Sequence, residues 1–142
     1  MTTEILPDRA DDISEELIGR LVHAFYGRVR ADPVLGPIFE ARVGHRWDAH
    51  LSAMIDFWSS VALMSGRYSG KPHVAHQPLG LAPEHFERWL DLFEATVDDV
   101  CQGRAAAFFV DRAHRIADSL QIGLNIGPKA LRFPASCASP KS

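Results

Sequence analysis

The 142-residue chain is short of several things, and each shortage removes a class of function. It has two cysteines, Cys101 and Cys137, far apart and in no CxxC spacing. That excludes a disulfide framework or a cysteine-based zinc site and makes a reducing, cytoplasmic compartment the simpler expectation. There is no excess of positive charge: the formal net charge is −3, whereas a nucleic-acid footprint needs a strongly basic face. No apolar run approaches the eighteen or so residues that a membrane helix requires. GxGxxG, P-loop, HExxH and GxSxG patterns are absent, which removes the common nucleotide-binding and hydrolytic signatures. No stretch alternates apolar and polar residues as a half-buried strand would, and no segment repeats.

What is present is helical periodicity in a chain of ordinary composition, 46% hydrophobic and 23% charged, long enough for one domain with a proper core. Residues 1–12 form a polar, acidic lead-in that does not read as a signal peptide. Asp12 stands where an N-cap would, with Glu15 completing a capping box. Ile13, Leu17, Leu21, Phe25 and Val29 then recur at i, i+4, widened by Ile18, Val22 and Tyr26. Asp32-Pro33 ends that helix, because proline pushes its predecessor out of the α region. Residues 34–39, with Gly36-Pro37 inside, read as an apolar turn packed against something. A second helix is expected from Arg46 to Leu63, with Trp47, His50, Leu51, Met54, Phe57, Trp58 and Val61 inward. A third opens at Ala82-Pro83-Glu84 with Phe86, Trp89, Leu90, Phe93, Val97 and Val100 inward, and stops at Gly103. A fourth covers residues 105–124, with Phe108, Phe109, Ala113, Ile116 and Leu120 inward. The domain is therefore all-α over 13–126, four full helices and one stub, and 127–142 read as a flexible tail.

The stub is the informative piece. Between Pro72 and Pro78 at most about two helical turns fit, and so short a helix has little stability of its own. It carries His73 and His76. A short element with imidazoles near its end needs something outside the chain to hold it, and a haem iron bound to His76 is the reading that meets this need, with His73 as the competitor three residues earlier. A zinc site built from the two would lack further ligands nearby. Tyr26, His50 and Trp89 stand at inward positions on three other helices. Each alone reads as ordinary core, but burying a phenol, an indole and two imidazoles together costs roughly 1–3 kcal/mol for each group left unpaired. A flat ligand with a metal centre gives all four a partner. His23, His45, His85 and His114 lie among polar neighbours and read as surface residues, and neither cysteine has an activating partner visible in sequence.

A series of motifs also resembles a known family. Phe25-Tyr26, Val29-Arg30, Asp32-Pro33 and Leu35-Gly36-Pro37-Ile38-Phe39 are followed by Trp47-Asp48-Ala49-His50 and Phe57-Trp58. Then come Gly66-Arg67-Tyr68-Ser69-Gly70-Lys71-Pro72 running into His76, and His85-Phe86, Arg88-Trp89-Leu90 and Leu92-Phe93. In this order they are similar to the truncated haemoglobins of the third group, over about residues 13–124. The resemblance implies a globin-like, shortened two-on-two α-helical sandwich around haem b. His76 is then the proximal iron ligand and Phe39 packs on the porphyrin. Tyr26, His50 and Trp89 face the distal side, with Met54 one turn beyond His50. Phe57, Leu79 and Phe93 join the expected apolar contacts, and Tyr68 and Lys71 the polar ones at the haem edge. O₂, NO, CO, cyanide or peroxide would be the small ligands. Two donors, Tyr26 and Trp89, imply slow release and hence redox work, NO oxidation or peroxide reduction, with a separate reductase as partner. His50 is left open between gate, donor and iron ligand. A carrier or sensor without turnover and a cofactor-free helical interaction domain are the competing classes.

Overall fold

The computed structural model describes residues 10–68, 81–124 and 126, and among these it contains five α-helices and no strand. In chain order they are α1 (Glu15–Ala31), α2 (Leu35–Val43), α3 (Trp47–Leu63), α4 (Pro83–Val100) and α5 (Gly103–Gly123). The expected stub at 72–78, residues 1–9 and residues 127–142 lie outside the described residues. Helix α1 packs against α2, α3 and α4, and α4 packs in turn on α5. The result is the all-α sandwich that the periodicity and the motifs predict.

Helix α1 begins two residues later than its sequence signal. Ser14, not Asp12, is the N-cap, its side chain accepting from the Leu17 N–H at 3.1 Å. The two aspartates are used elsewhere. Asp11 accepts from the Arg104 N–H at 2.6 Å and so caps α5 from a distant part of the chain, while Asp12 pairs with the Arg104 guanidinium. Ala10 lies beside Cys101 in a single parallel bridge. Gly103, at φ +57°, suits this junction: a Cβ there would sit 2.4 Å from the Asp11 carboxylate.

Residues 34–39 are not a turn but the first part of α2. Proline at the third helical position loses an N–H that has no intrahelical partner in any case. The buried Asp32 carboxylate supplies the missing cap, accepting from the N–H groups of Val34 (3.0 Å) and Leu35 (2.8 Å). Gly36 lets α2 lie directly on the end of α1, since a Cβ there would meet the Arg30 carbonyl oxygen at 2.7 Å. Arg88 of α4 then donates from Nε to Asp32 at 2.7 Å, so one carboxylate ties together the end of α1, the start of α2 and the middle of α4.

The centre is aromatic. Phe93 is sandwiched between Trp58 (5.3 Å, 12°) and Trp89 (5.6 Å, 8°), and Phe25 meets it edge-on at 5.1 Å. Phe109 closes the far side of Trp58. Such pairs add about 0.5–1.5 kcal/mol each beyond simple burial. A smaller cluster of Phe86, Ala117 and Leu120 lies apart, and Trp89, Leu90 and Ile116 are packed against both.

Candidate functional site

Helix α3 is the most apolar of the five by composition, yet only Trp47, Trp58 and Ser59 on it are buried. Leu51, Met54, Phe57 and Val61 are half-buried. Between Met54 and Phe57 of this helix and α4 and α5 lies a cleft with about 980 Å³ of space counted to its open mouth. Its walls are Tyr26, Leu35, Phe39, His50, Met54, Phe57, Trp58, Tyr68, Leu81, His85, Phe86, Trp89, Ile116 and Leu120. All five helices contribute, and none of these wall residues is an acid.

The structure brings together seven of the site residues expected from sequence: Tyr26, Phe39, His50, Met54, Phe57, Tyr68 and Trp89. Phe93 is not on the wall. It is 1% exposed and stands one layer behind, where it backs Trp89 by stacking. The reason is its register: Phe93 follows Trp89 by one helical turn and turns further into the α1–α3 core. His76, Lys71 and Leu79 lie outside the described residues.

One part of the wall is a group of rings at right angles. The His50 imidazole meets Tyr26 at 5.0 Å (89°), Trp47 at 5.4 Å (90°) and Phe39 at 6.3 Å (64°). Its Nε2 is shielded from solvent. Trp47 forms the outer side of this group and is held from the surface. Its indole N–H donates to Glu40 at 3.1 Å, Arg30 donates to the same carboxylate oxygen at 3.0 Å, and the Arg30 guanidinium lies 4.5 Å above the indole ring. Burial pushes the Tyr26 phenol well above its ordinary range, so it stays protonated. Trp89, half-buried, carries an indole N–H that can only donate. A phenol, an imidazole and an indole from α1, α3 and α4 therefore share one apolar cavity.

The wall is also fixed at the exit of α3. Arg67 grips both oxygens of Glu15 at 2.8 and 3.1 Å and donates to Asp56 at 3.0 Å. Ser59 donates to Glu15 at 2.6 Å, and the Tyr68 N–H donates to Ser60 at 2.9 Å. Arg67 and Ser59 hold the Glu15 carboxyl below its usual range. Tyr68 thereby stands edge-on to Phe57 at 5.2 Å.

His85 is the clearest correction. Expected at the surface, it is half-buried on the cavity wall, and its Nδ1 accepts from the Ala82 N–H at 2.9 Å. The available signal was its place three residues after the cap of α4, from which a side chain reaches back to the cap N–H. Leu35, Trp58, Leu81, Phe86, Ile116 and Leu120 are further wall residues; most lay on the apolar stripes, but periodicity alone gives no means of telling wall from core. Among the described residues, no group of three or more His, Cys, Asp or Glu is placed to hold a metal ion, and no helix is long and apolar enough to cross a membrane.

A short all-α sandwich enclosing an aromatic cavity, with tyrosine and histidine on adjoining helices facing it, is the architecture of a globin. The bacterial-like globin family matches residues 12–121. The group 3 truncated haemoglobin ctb of Campylobacter jejuni is 36% identical over 115 residues, covering 78% of this chain and 91% of the relative. The crystal structure of group III truncated haemoglobin from Campylobacter jejuni superposes with a TM-score of 0.77 at 34% identity, over 82% of this chain and 94% of the other. The chain belongs to the third group of truncated haemoglobins, within the bacterial-like globins.

Proposed function

We propose that the cavity holds haem b, that His76 is the proximal iron ligand, and that Tyr26, His50 and Trp89 serve the opposite, ligand-binding side. The residues present fit that group. The cleft is walled mainly by aromatic and aliphatic side chains with a few polar groups among them, as small-molecule pockets are. Tyr68 and Leu81, the described residues that flank 69–80 in the sequence, both stand on the wall. His76, five residues before Leu81, is within about 18 Å of it by covalent reach alone. Lys71 and Leu79, on the same stretch of sequence, are proposed as haem contacts with it.

When bound, haem iron supplies a site for diatomic ligands such as O₂, NO and CO, and one-electron redox chemistry. The chain's own contribution is to hold hydrogens at that site. Tyr26 remains a phenol because burial disfavours its anion, and so its O–H is a permanent donor. The Trp89 indole is held in place by its stack on Phe93. The His50 ring is confined by Tyr26, Phe39 and Trp47, a position from which it guards access to the cavity or donates in turn. Preorganised donors in a dry pocket act strongly on a ligand that gathers negative charge. The single observation that carries this reading is the convergence of three such groups from α1, α3 and α4 on one apolar cavity.

Two strong donors make release slow, which favours holding O₂ for chemistry, oxidation of NO or reduction of peroxide, over bulk delivery. Electrons would come from a separate reductase. In stopped-flow measurements on the haem-loaded protein, Tyr26→Phe and Trp89→Phe are each expected to speed O₂ dissociation by about ten- to a hundredfold, the range of one hydrogen bond to a charged acceptor. Acceleration below about threefold in both would remove the donor account. Turnover of NO or peroxide with an artificial electron donor separates the redox reading from a carrier or sensor, which binds the same ligands without turnover.

A further inference from the structure

We infer that His85 recognises a carboxylate carried by the cavity's ligand, so that it fixes which edge of that ligand faces the start of α4. The inference rests on the haem reading above, since haem b carries two propionate groups along one edge.

The geometry sets both the position and the protonation of the ring. Nδ1 accepts from the Ala82 N–H at 2.9 Å. A neutral imidazole with one nitrogen accepting must carry its hydrogen on the other. His85 is therefore a fixed Nε2–H donor, and it belongs to the cavity wall. Leu81, Phe86 and Leu120 on that wall belong to the smaller apolar cluster and have no side-chain hydrogen to donate; Trp89, which also packs on that cluster, has one, on its indole. Among the described residues of the wall, no acid competes for the His85 N–H. An oriented N–H in so largely apolar a wall favours a charged acceptor over a neutral one, because charge-assisted bonds are roughly twice as strong. The positive end of α4, an 18-residue helix, favours the same sign of ligand.

The test compares uptake and loss of iron protoporphyrin IX with uptake and loss of its dimethyl ester, in which both carboxylates are blocked. Binding is followed by absorbance and by quenching of tryptophan fluorescence in the full chain. His85→Gln keeps an acceptor for the Ala82 N–H and an N–H to donate. His85→Glu keeps the acceptor, since glutamate at this helical position closes the same capping contact, but sets a negative charge against the ligand's carboxylate. The unaltered protein is expected to lose the ester about tenfold faster than the free acid, or more, as one charge-assisted bond requires. His85→Gln should keep that ratio within about threefold, below one such bond, and His85→Glu should abolish it, the ratio being taken within each variant so that a general change in porphyrin binding cancels. Retention of the full ratio in His85→Glu overturns the inference and places carboxylate recognition on other groups, such as Tyr68 or Lys71. So does an unaltered protein that takes up both porphyrins without preference. Failure to take up either porphyrin instead overturns the haem reading itself.

Discussion

Two regions of this molecule are built from the same kinds of side chain and behave differently. Around Phe25, Trp58, Phe93 and Phe109 the aromatic rings close on one another, and all four are at most 4% exposed. Along the cleft side of α3, Met54 and Phe57 are just as apolar and remain half-buried. Burying apolar surface stabilises by roughly 25 cal/mol per Å², so the second region forgoes what the first collects. The difference teaches where stability and function divide. On the haem reading, the closed region holds the fold and the open one keeps apolar surface in reserve for the ligand. Trp89 belongs to both, stacked on Phe93 and standing on the cavity wall, so the rigid region positions a wall residue of the open one.

The largest effect should come from opening the closed region. Phe93→Ala is expected to cost about 3–5 kcal/mol in urea unfolding, whether or not haemin is present. Met54→Ala, on the wall, should cost under about 1.5 kcal/mol without haemin, because its side chain is only partly enclosed. Equal costs would erase the distinction between the regions. Next, haemin at a thousandfold excess over its dissociation constant should stabilise the chain by about 4 kcal/mol, and Met54→Ala should reduce that gain while Phe93→Ala lowers both baselines together. A haemin gain below about 1 kcal/mol under those conditions would mean that the open wall is not a ligand's share of the core.

A smaller effect joins the regions electrostatically. Hydrogen bonding from Arg88 first, then from the Leu35 and Val34 N–H groups, lowers the Asp32 carboxyl to about 2, against the opposing pull of burial. A folded-state value below the unfolded one contributes stability that is complete above about pH 4 and is lost as pH falls through about 2. Because Arg88 is open to solvent, the contribution should be roughly 1–2 kcal/mol, less than the full linkage value. Asp32→Asn should remove it, flattening the acid limb of an unfolding-versus-pH curve. An acid limb unchanged in Asp32→Asn would show that the α1–α2–α4 junction does not depend on this charge.

Most of the fold and much of the cavity wall were legible in the sequence, for reasons visible at single residues. The i, i+4 stripes of α1 and α4 and the Asp32-Pro33 stop are local signals, and local signals survive folding. Tyr26, His50 and Trp89 stood out because a polar tip on an apolar stripe is costly unless it has a partner. What stayed hidden was set at a distance. Helix α2 looked like a turn because its cap is Asp32, whose own orientation depends on Arg88 from fifty-six residues away. Asp12 looked like a cap because nothing nearby revealed that α5 would claim its neighbour Asp11. His85 looked like a surface residue because only the packed helices show which side of α4 faces the cavity, and Phe93 was assigned to the wall for the same reason.

The smallest prediction addresses a rival account of the open wall, namely that strain at the end of α3, and not a missing ligand, keeps it loose. Met64 ends α3 in the left-handed conformation at φ 58° and is 86% exposed, so nothing packs it there. Met64→Gly relieves the steric cost of that conformation but adds freedom to the unfolded chain. The balance should be a gain of roughly 0.5–1 kcal/mol in chemical denaturation. If the wall is reserved for a ligand, this gain adds to that of haemin, because the two act on separate things. If strain at Met64 is what opens the wall, the variant should instead close it, and the stabilisation that haemin gives should shrink by as much as the variant has gained.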